Sequence, residues 1–94
     1  MLLLIHLRVA DYAKWKPVFD ERQASRAEHG GTRHWLYRSA DDPNDLIVSI
    51  EFPNAQAARS YVEDPGLRQA MGRAGVEGEP HFHYLEELEA VTYS

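Results

Sequence analysis

LLLIHLRV, residues 2–9, is the stretch whose reading decides the fold. Leu3, Ile5, Leu7 and Val9 recur at period two and form one unbroken apolar row, the mark of a strand with one face in a core. His6 and Arg8 fall on the other face. A second segment with such a row, residues 46–52, alternates Leu46, Val48, Ile50 and Phe52 against Ile47, Ser49 and Glu51. Two more strands are expected: residues 32–38, rich in Trp35 and Tyr37, and residues 81–87, where His81 and His83 share a face with Leu85.

The intervening segments read as helices and turns. Asp11 is a candidate N-cap, followed by Tyr12, Trp15, Val18 and Phe19 at helical spacing. Pro17 cannot donate an amide hydrogen bond inside a helix. Residues 11–16 are therefore expected to form a separate turn, with Pro17 opening a main helix that runs through Arg26 and stops at Gly30-Gly31. Asp41-Asp42-Pro43-Asn44 is a turn. Asn54 caps a helix carrying Ala55, Ala58, Tyr61 and Val62. Asp64-Pro65 breaks that helix and restarts it, with Leu67, Ala70, Met71 and Ala74 on the buried side and Gly75 at the end. Gly78-Glu79-Pro80 reads as the turn before the last strand, and the acidic final residues as an extension that could add a short strand.

The element order β-α-β-β-α-β, with right-handed crossovers, predicts an α+β, ferredoxin-like domain spanning residues 1–94: a four-stranded antiparallel sheet with two helices on one face. The first strand lies between the third and fourth, and the second lies at an edge. The uncovered face would carry Leu2, Leu4, Ile47, Leu85 and, in one of two orientations of its strand, Leu36. That is too apolar to leave in water, so a homodimer packed sheet to sheet about a two-fold axis is expected.

Composition narrows the partners. Ninety-four residues make one small domain that buries roughly 60–65% of its unfolded surface, which favours oligomerisation. The net charge is -5 with no basic run, so nucleic acid is not an expected partner. Without cysteine there are no disulfides or thiolate metal sites, which fits a reducing cytoplasm. Residues 1–5 are apolar but too short for a signal segment or a membrane span, and a cytoplasmic protein is expected.

Four stretches carry a resemblance: VADYAKWKPVFD at 9–20, DDPND at 41–45, EFPNAQAA at 51–58 and EDPGLRQAMGRAGVEGEP at 63–80. In these the chain resembles the dimeric α/β-barrel superfamily, the small antibiotic biosynthesis monooxygenase-like and polyketide cyclase-like proteins. The stretches are caps, turns and packing positions, specific for a fold and not for a reaction. The resemblance implies face-to-face dimers with a pocket between each sheet and its helices or loops. It also implies chemistry of several kinds: cofactor-free oxygenation of phenolic polyketides, cyclisation, isomerisation or haem degradation. Haem-degrading members hold iron through a helical histidine; the only one here is His29, beside Gly30-Gly31, so haem is not expected.

Imidazole is the side chain best suited to trade protons near neutral pH. His6, His83 and Glu51 (or Ser49) could meet on one sheet face as an acid–base cluster, Glu51 holding an imidazole tautomer. His34 joins them if its strand turns Thr32, His34 and Leu36 to that side. His81-x-His83 could also donate to a metal, with His6 or Glu51 as third ligand, but the spacing alone is unspecific and no metal is expected. The competing reading is that these are polar residues satisfied across a dimer interface. Trp35, Tyr37, Arg33, Tyr61 and His81 are candidate substrate-binding residues, the arginine for a carboxylate or phenolate. Tyr12, Trp15, Phe19 and Trp35 could wall an aromatic pocket, Trp15 and Phe19 reading as core first. Arg38, like Arg33, could bind such an anion but reads as solvated first, and Glu86, Glu87 and Glu89 as an edge that discourages strand pairing. No serine nucleophile elbow or phosphate loop occurs.

The expected function is a cofactor-independent monooxygenase, cyclase or isomerase acting on an aromatic or polyketide-like molecule by histidine-assisted proton abstraction. The alternative is a ligand-binding or stress-associated barrel without catalysis.

Overall fold

The computed structural model describes residues 1–94, and its elements follow the expected order with both helical segments divided in two. They are β1 (Leu2–Val9), α1 (Tyr12–Glu21), α2 (Gln23–Glu28), β2 (Arg33–Arg38), β3 (Asp45–Glu51), α3 (Ala55–Glu63), α4 (Pro65–Ala74) and β4 (Val76–Leu85). The strands form one antiparallel sheet in the order β2-β3-β1-β4, the ferredoxin-like arrangement. Leu3, Ile5, Leu7 and Val9 of β1 and Leu46, Val48 and Ile50 of β3 are buried under the helices with Phe52, Trp15, Ala58, Tyr61 and Leu67.

The helix starts obey local chemistry. Asp11, Asn54 and Asp64 each lie in extended backbone and accept a hydrogen bond from an amide of the turn that follows. Pro65 follows Asp64 at the start of α4, and Gly75 closes that helix at φ +81°.

Two expectations about boundaries fail. Pro17 does not open a helix; it sits inside α1, which begins at Tyr12. Its missing N–H would have bonded the carbonyl of Ala13, and both residues are exposed, so that carbonyl is left open to solvent. The segment breaks instead at Arg22. Gly78-Glu79-Pro80 likewise does not precede β4 but lies within it. Glu77 and Val76 already pair with Arg8 and Val9, and the register shifts before the pair His6–His81. The glycine at φ +68° and the amide-less proline form a bulge, so a turn signal marks an irregularity inside a strand. The strand ends at Leu85, and residues 86–94 add no strand of their own.

Candidate functional site

Strand register sorts the chemically active side chains onto the two faces of the sheet. Across the open face they form rows: Tyr37–Ile47–His6–His81, then Trp35–Ser49–Leu4–His83, then Arg33–Glu51–Leu2–Leu85. Leu2, Leu4, Ile47 and Leu85 lie where expected. Leu36 does not: it pairs with Val48 and faces the helices, and Trp35 and Tyr37 take the open face instead.

His6 is engaged, but not by Glu51. Its Nε2–H donates to Asp45 Oδ1 at 2.7 Å, a diagonal contact from β1 to β3. Glu51 stands four residues along β3 from the residue opposite His6, roughly 13 Å away at strand rise. It accepts instead from the Thr32 hydroxyl at 3.0 Å. His83 does not sit beside His6 either, since it is paired with Leu4, and Leu4 separates it from Ser49. The imidazole next to His6 is His81, with ring centroids 6.3 Å apart. No group of three His, Cys, Asp or Glu side chains is placed to hold a metal ion. Arg33 stacks over Trp35 at 4.4 Å on the same face.

His34 is the main correction. It pairs with Ile50, so it faces the helices and cannot join His6 and His83. Its ring meets Phe19 edge-on at 5.0 Å, and it lines a hollow of about 300 Å³ with Arg26, Gln23 and Gly31. Burial, then the nearby charges of Arg26 and Lys16, hold its pKa below the ordinary 6.5. His34 is therefore a neutral imidazole at neutral pH.

On that side a half-open, largely apolar cleft separates the sheet from α1, α2 and α4. Its walls include Trp15 and Phe19, stacked at 4.8 Å, with Val48, Met71 and Tyr61; its polar lining is Arg22 and Arg26. Arg26 and Ile50 border both this cleft and the His34 hollow. The unfilled space is about 440 Å³ with the open mouth, but the tight interior is only about 40 Å³. Trp15 is 4% exposed, so the core reading holds for it, and it is also a wall of the cleft. Tyr61 lies on α3 under the sheet and not at a pocket mouth: it is 2% exposed, and burial pushes its hydroxyl pKa up.

The signal that would have found Arg26 is its spacing: it lies seven residues, about two helical turns, after Phe19, in line with the aromatic positions of the preceding helix. A charged residue at such a position suggests a buried cation. His29 follows the end of α2: its Nδ1–H donates to the Ser25 carbonyl at 2.8 Å, its Nε2 faces Asp64 at 3.9 Å, and it is not part of the cleft wall.

No protein-family model matches the chain, and no curated protein matches it. Solved structures do. SnoaB, a cofactor-independent oxygenase from Streptomyces nogalater, is 21% identical over 92% of each chain, with a TM-score of 0.70. A candidate antibiotic biosynthesis monooxygenase from Bordetella bronchiseptica superposes with a TM-score of 0.80 at 10% identity, over 94% of this chain and 96% of that one. The ActVA-Orf6 monooxygenase of Streptomyces coelicolor, solved with the ligand nanaomycin D, gives 0.71 at 17% identity over 99% and 91%. The chain has the fold of the antibiotic biosynthesis monooxygenase-like proteins, as the sequence resemblance implied. No helix is long and apolar enough to cross a membrane.

Proposed function

We propose that this chain is an enzyme acting on an electron-rich aromatic small molecule in the cleft between sheet and helices, oxygenating it without a resident cofactor. The observation that carries the reading is the aromatic-walled cleft with a neutral imidazole, His34, next to it. Two neighbours of the same fold support the reaction class: one is described as a cofactor-independent oxygenase, and another is a monooxygenase in complex with nanaomycin D.

The chemistry asks for a base and a place for an electron-rich anion. His34 accepts a proton from a ring methylene or hydroxyl, giving a carbanion or phenolate that can reduce oxygen. For a methylene substrate, one methylene group and one dioxygen molecule become one carbonyl group and one water molecule. The carbon loses four electrons, and dioxygen gains them. One oxygen atom stays in the product; the other leaves as hydroxide with the second methylene hydrogen, and the imidazolium returns its proton to it.

Size limits the fit. The tight interior of about 40 Å³ is well below the roughly 150 Å³ that holds one benzene ring, so α1 and α2 must give way from α4 when a ring enters. Oxygen uptake with a panel of anthrones and hydroxynaphthalenes tests the reading. His34→Ala should lower kcat by about 10²–10⁴-fold, and Met71→Trp should block the cleft. Binding of the panel without oxygen uptake or product would leave a non-catalytic ligand-binding barrel, and an unchanged rate in His34→Ala would remove the base.

A second reading rests on the His6–Asp45 pair, an imidazole oriented by a carboxylate on an open face beside His81. If two copies close over that face, His6, His81 and His83 would line the space between them, with Glu51 two rows away. Loss of turnover in His6→Ala with Arg26 and His34 intact favours this site over the cleft.

A further inference from the structure

We propose that the cleft contains an anion subsite in which Arg26, with Arg22 and Tyr61, receives the ionised oxygen of an aromatic monoanion. This rests on the reading of the cleft as a ligand site and names what that ligand must carry.

Arg26 is 3% exposed, as buried as the leucines and isoleucines of the core. Its Nη1–H donates to the Phe19 carbonyl at 2.9 Å, and the guanidinium lies 3.9 Å above the Phe19 ring. Nη2 is buried and donates no hydrogen bond, the Tyr61 hydroxyl facing the guanidinium without closing one. Nε and Nη2 of Arg22 are likewise buried without a hydrogen bond, Nη2 being only ion-paired to Asp64 at 3.5 Å. Both residues line the cleft. A guanidinium kept for structure alone would have its donors satisfied, because an unpaired buried charge costs several kcal/mol.

The charges count to one unit of excess. Two guanidiniums border the cleft, and the carboxylate beside them is Asp64, 3.5 Å from Arg22 Nη2. Asp64 Oδ1 is already committed to the Gly66 amide at 3.0 Å. No carboxylate lines the cleft wall itself, and Asp20, the carboxylate whose charge acts on Arg26, bonds Lys16 at 2.7 Å. One positive charge is thus left facing the cleft, which suits a monoanion. About two or three waters would fit the 40 Å³ interior and could accept from the free N–H groups, but water brings no charge.

Tyr61 completes the geometry. Its hydroxyl faces Arg26, and burial raises its pKa, so it stays protonated and can donate to the same oxygen. Arg26 and Tyr61 then stabilise negative charge on that oxygen in a site shielded from water. The small interior accepts the charged end of the ligand, and its rings lie against Trp15 and Phe19 once α1 and α2 have given way from α4.

The test compares anions with neutral molecules of the same shape, on the intact protein and without oxygen. 4-Nitrophenol is matched with nitrobenzene, and benzoate with benzamide. Expected is that bound nitrophenol ionises at lower pH than free nitrophenol, read from the phenolate absorbance. The neutral partners should bind at least about tenfold more weakly, and Arg26→Met should erase the difference. Benzoate binding without nitrophenolate binding would assign the anion as a carboxylate; the converse would assign a phenolate. Equal affinity for nitrobenzene and nitrophenolate overturns the subsite and leaves an uncharged cleft, whereas binding of no probe overturns the cleft as well. The wild-type comparison decides even where Arg26→Met does not fold. A folded Arg26→Met that keeps full preference for the anion would show that Arg26 is a strut and not a receptor.

Discussion

At the scale of single residues, the face a side chain is turned to matters more than its type. His34 and His6 are both strand histidines, yet one is desolvated beside two cations and the other bonds Asp45 on an open face. The desolvated one has a consequence for stability. Its folded pKa lies below the ordinary 6.5, so the unfolded chain takes up the proton first. The His34 contribution is intact above about 6.5 and shrinks as pH falls below it. Thermal midpoints of His34→Gln should therefore fall less steeply across mildly acidic pH than those of the parent. Parallel curves would show that His34 titrates alike in both states. His34 could be singled out from the sequence as a candidate proton acceptor; that it faces the helices beside Arg26 and Phe19, and not His6 and His83, could not. RHWLYR has an apolar residue on each face, so period two alone cannot choose which goes inward.

The elements are held by their ends. Asp64 caps α4 through Gly66 and also faces Arg22, so one carboxylate ties the α3–α4 break to the α1–α2 break. Asp64→Ala should cost about 1 kcal/mol from the lost cap. Asp64→Asn, which keeps the oxygen and drops the charge, should recover most of it in thermal unfolding. Equal loss in both variants would assign the effect to the ion pair. Caps, glycine stops and the Asp-Pro break could be read in advance because they depend on backbone groups within one turn. The Pro17 position could not, since it depends on which side of α1 meets water. The bulge in β4 escaped for a similar reason: Gly78 and Pro80 look like a strand boundary until Val76 and Glu77 are seen paired with β1.

The whole molecule leaves one face of its sheet uncovered. Tyr37 is 54% and Leu85 40% exposed there, alongside Trp35, Leu4 and Ile47. The homodimer expected from the sequence would close this face, and about 800 Å² per partner would be ordinary for it. Sedimentation at micromolar concentration should show a two-chain species, and Tyr37→Glu should split it. A single-chain species in the parent would sink the dimer and, with it, the reading that puts His6 and His81 in an enclosed space. The cleft would survive, because every wall it has comes from one chain.

The four-strand, helix-covered architecture, the helix caps, and the parity of β1, β3 and the end of β4 could all be read from the amino-acid order. These follow from local periodicity and from donors and acceptors a few residues apart. Packing of the folded chain sets which parity β2 takes, which residues share a row, and that two arginines are brought to one cleft with a single carboxylate beside them. Parity belongs to one strand, whereas a row needs the register between strands, which packing of the whole core sets. Glu51 and His6 share a face in every register that keeps both apolar rows inward, and the observed one places Asp45, not Glu51, 2.7 Å from the imidazole.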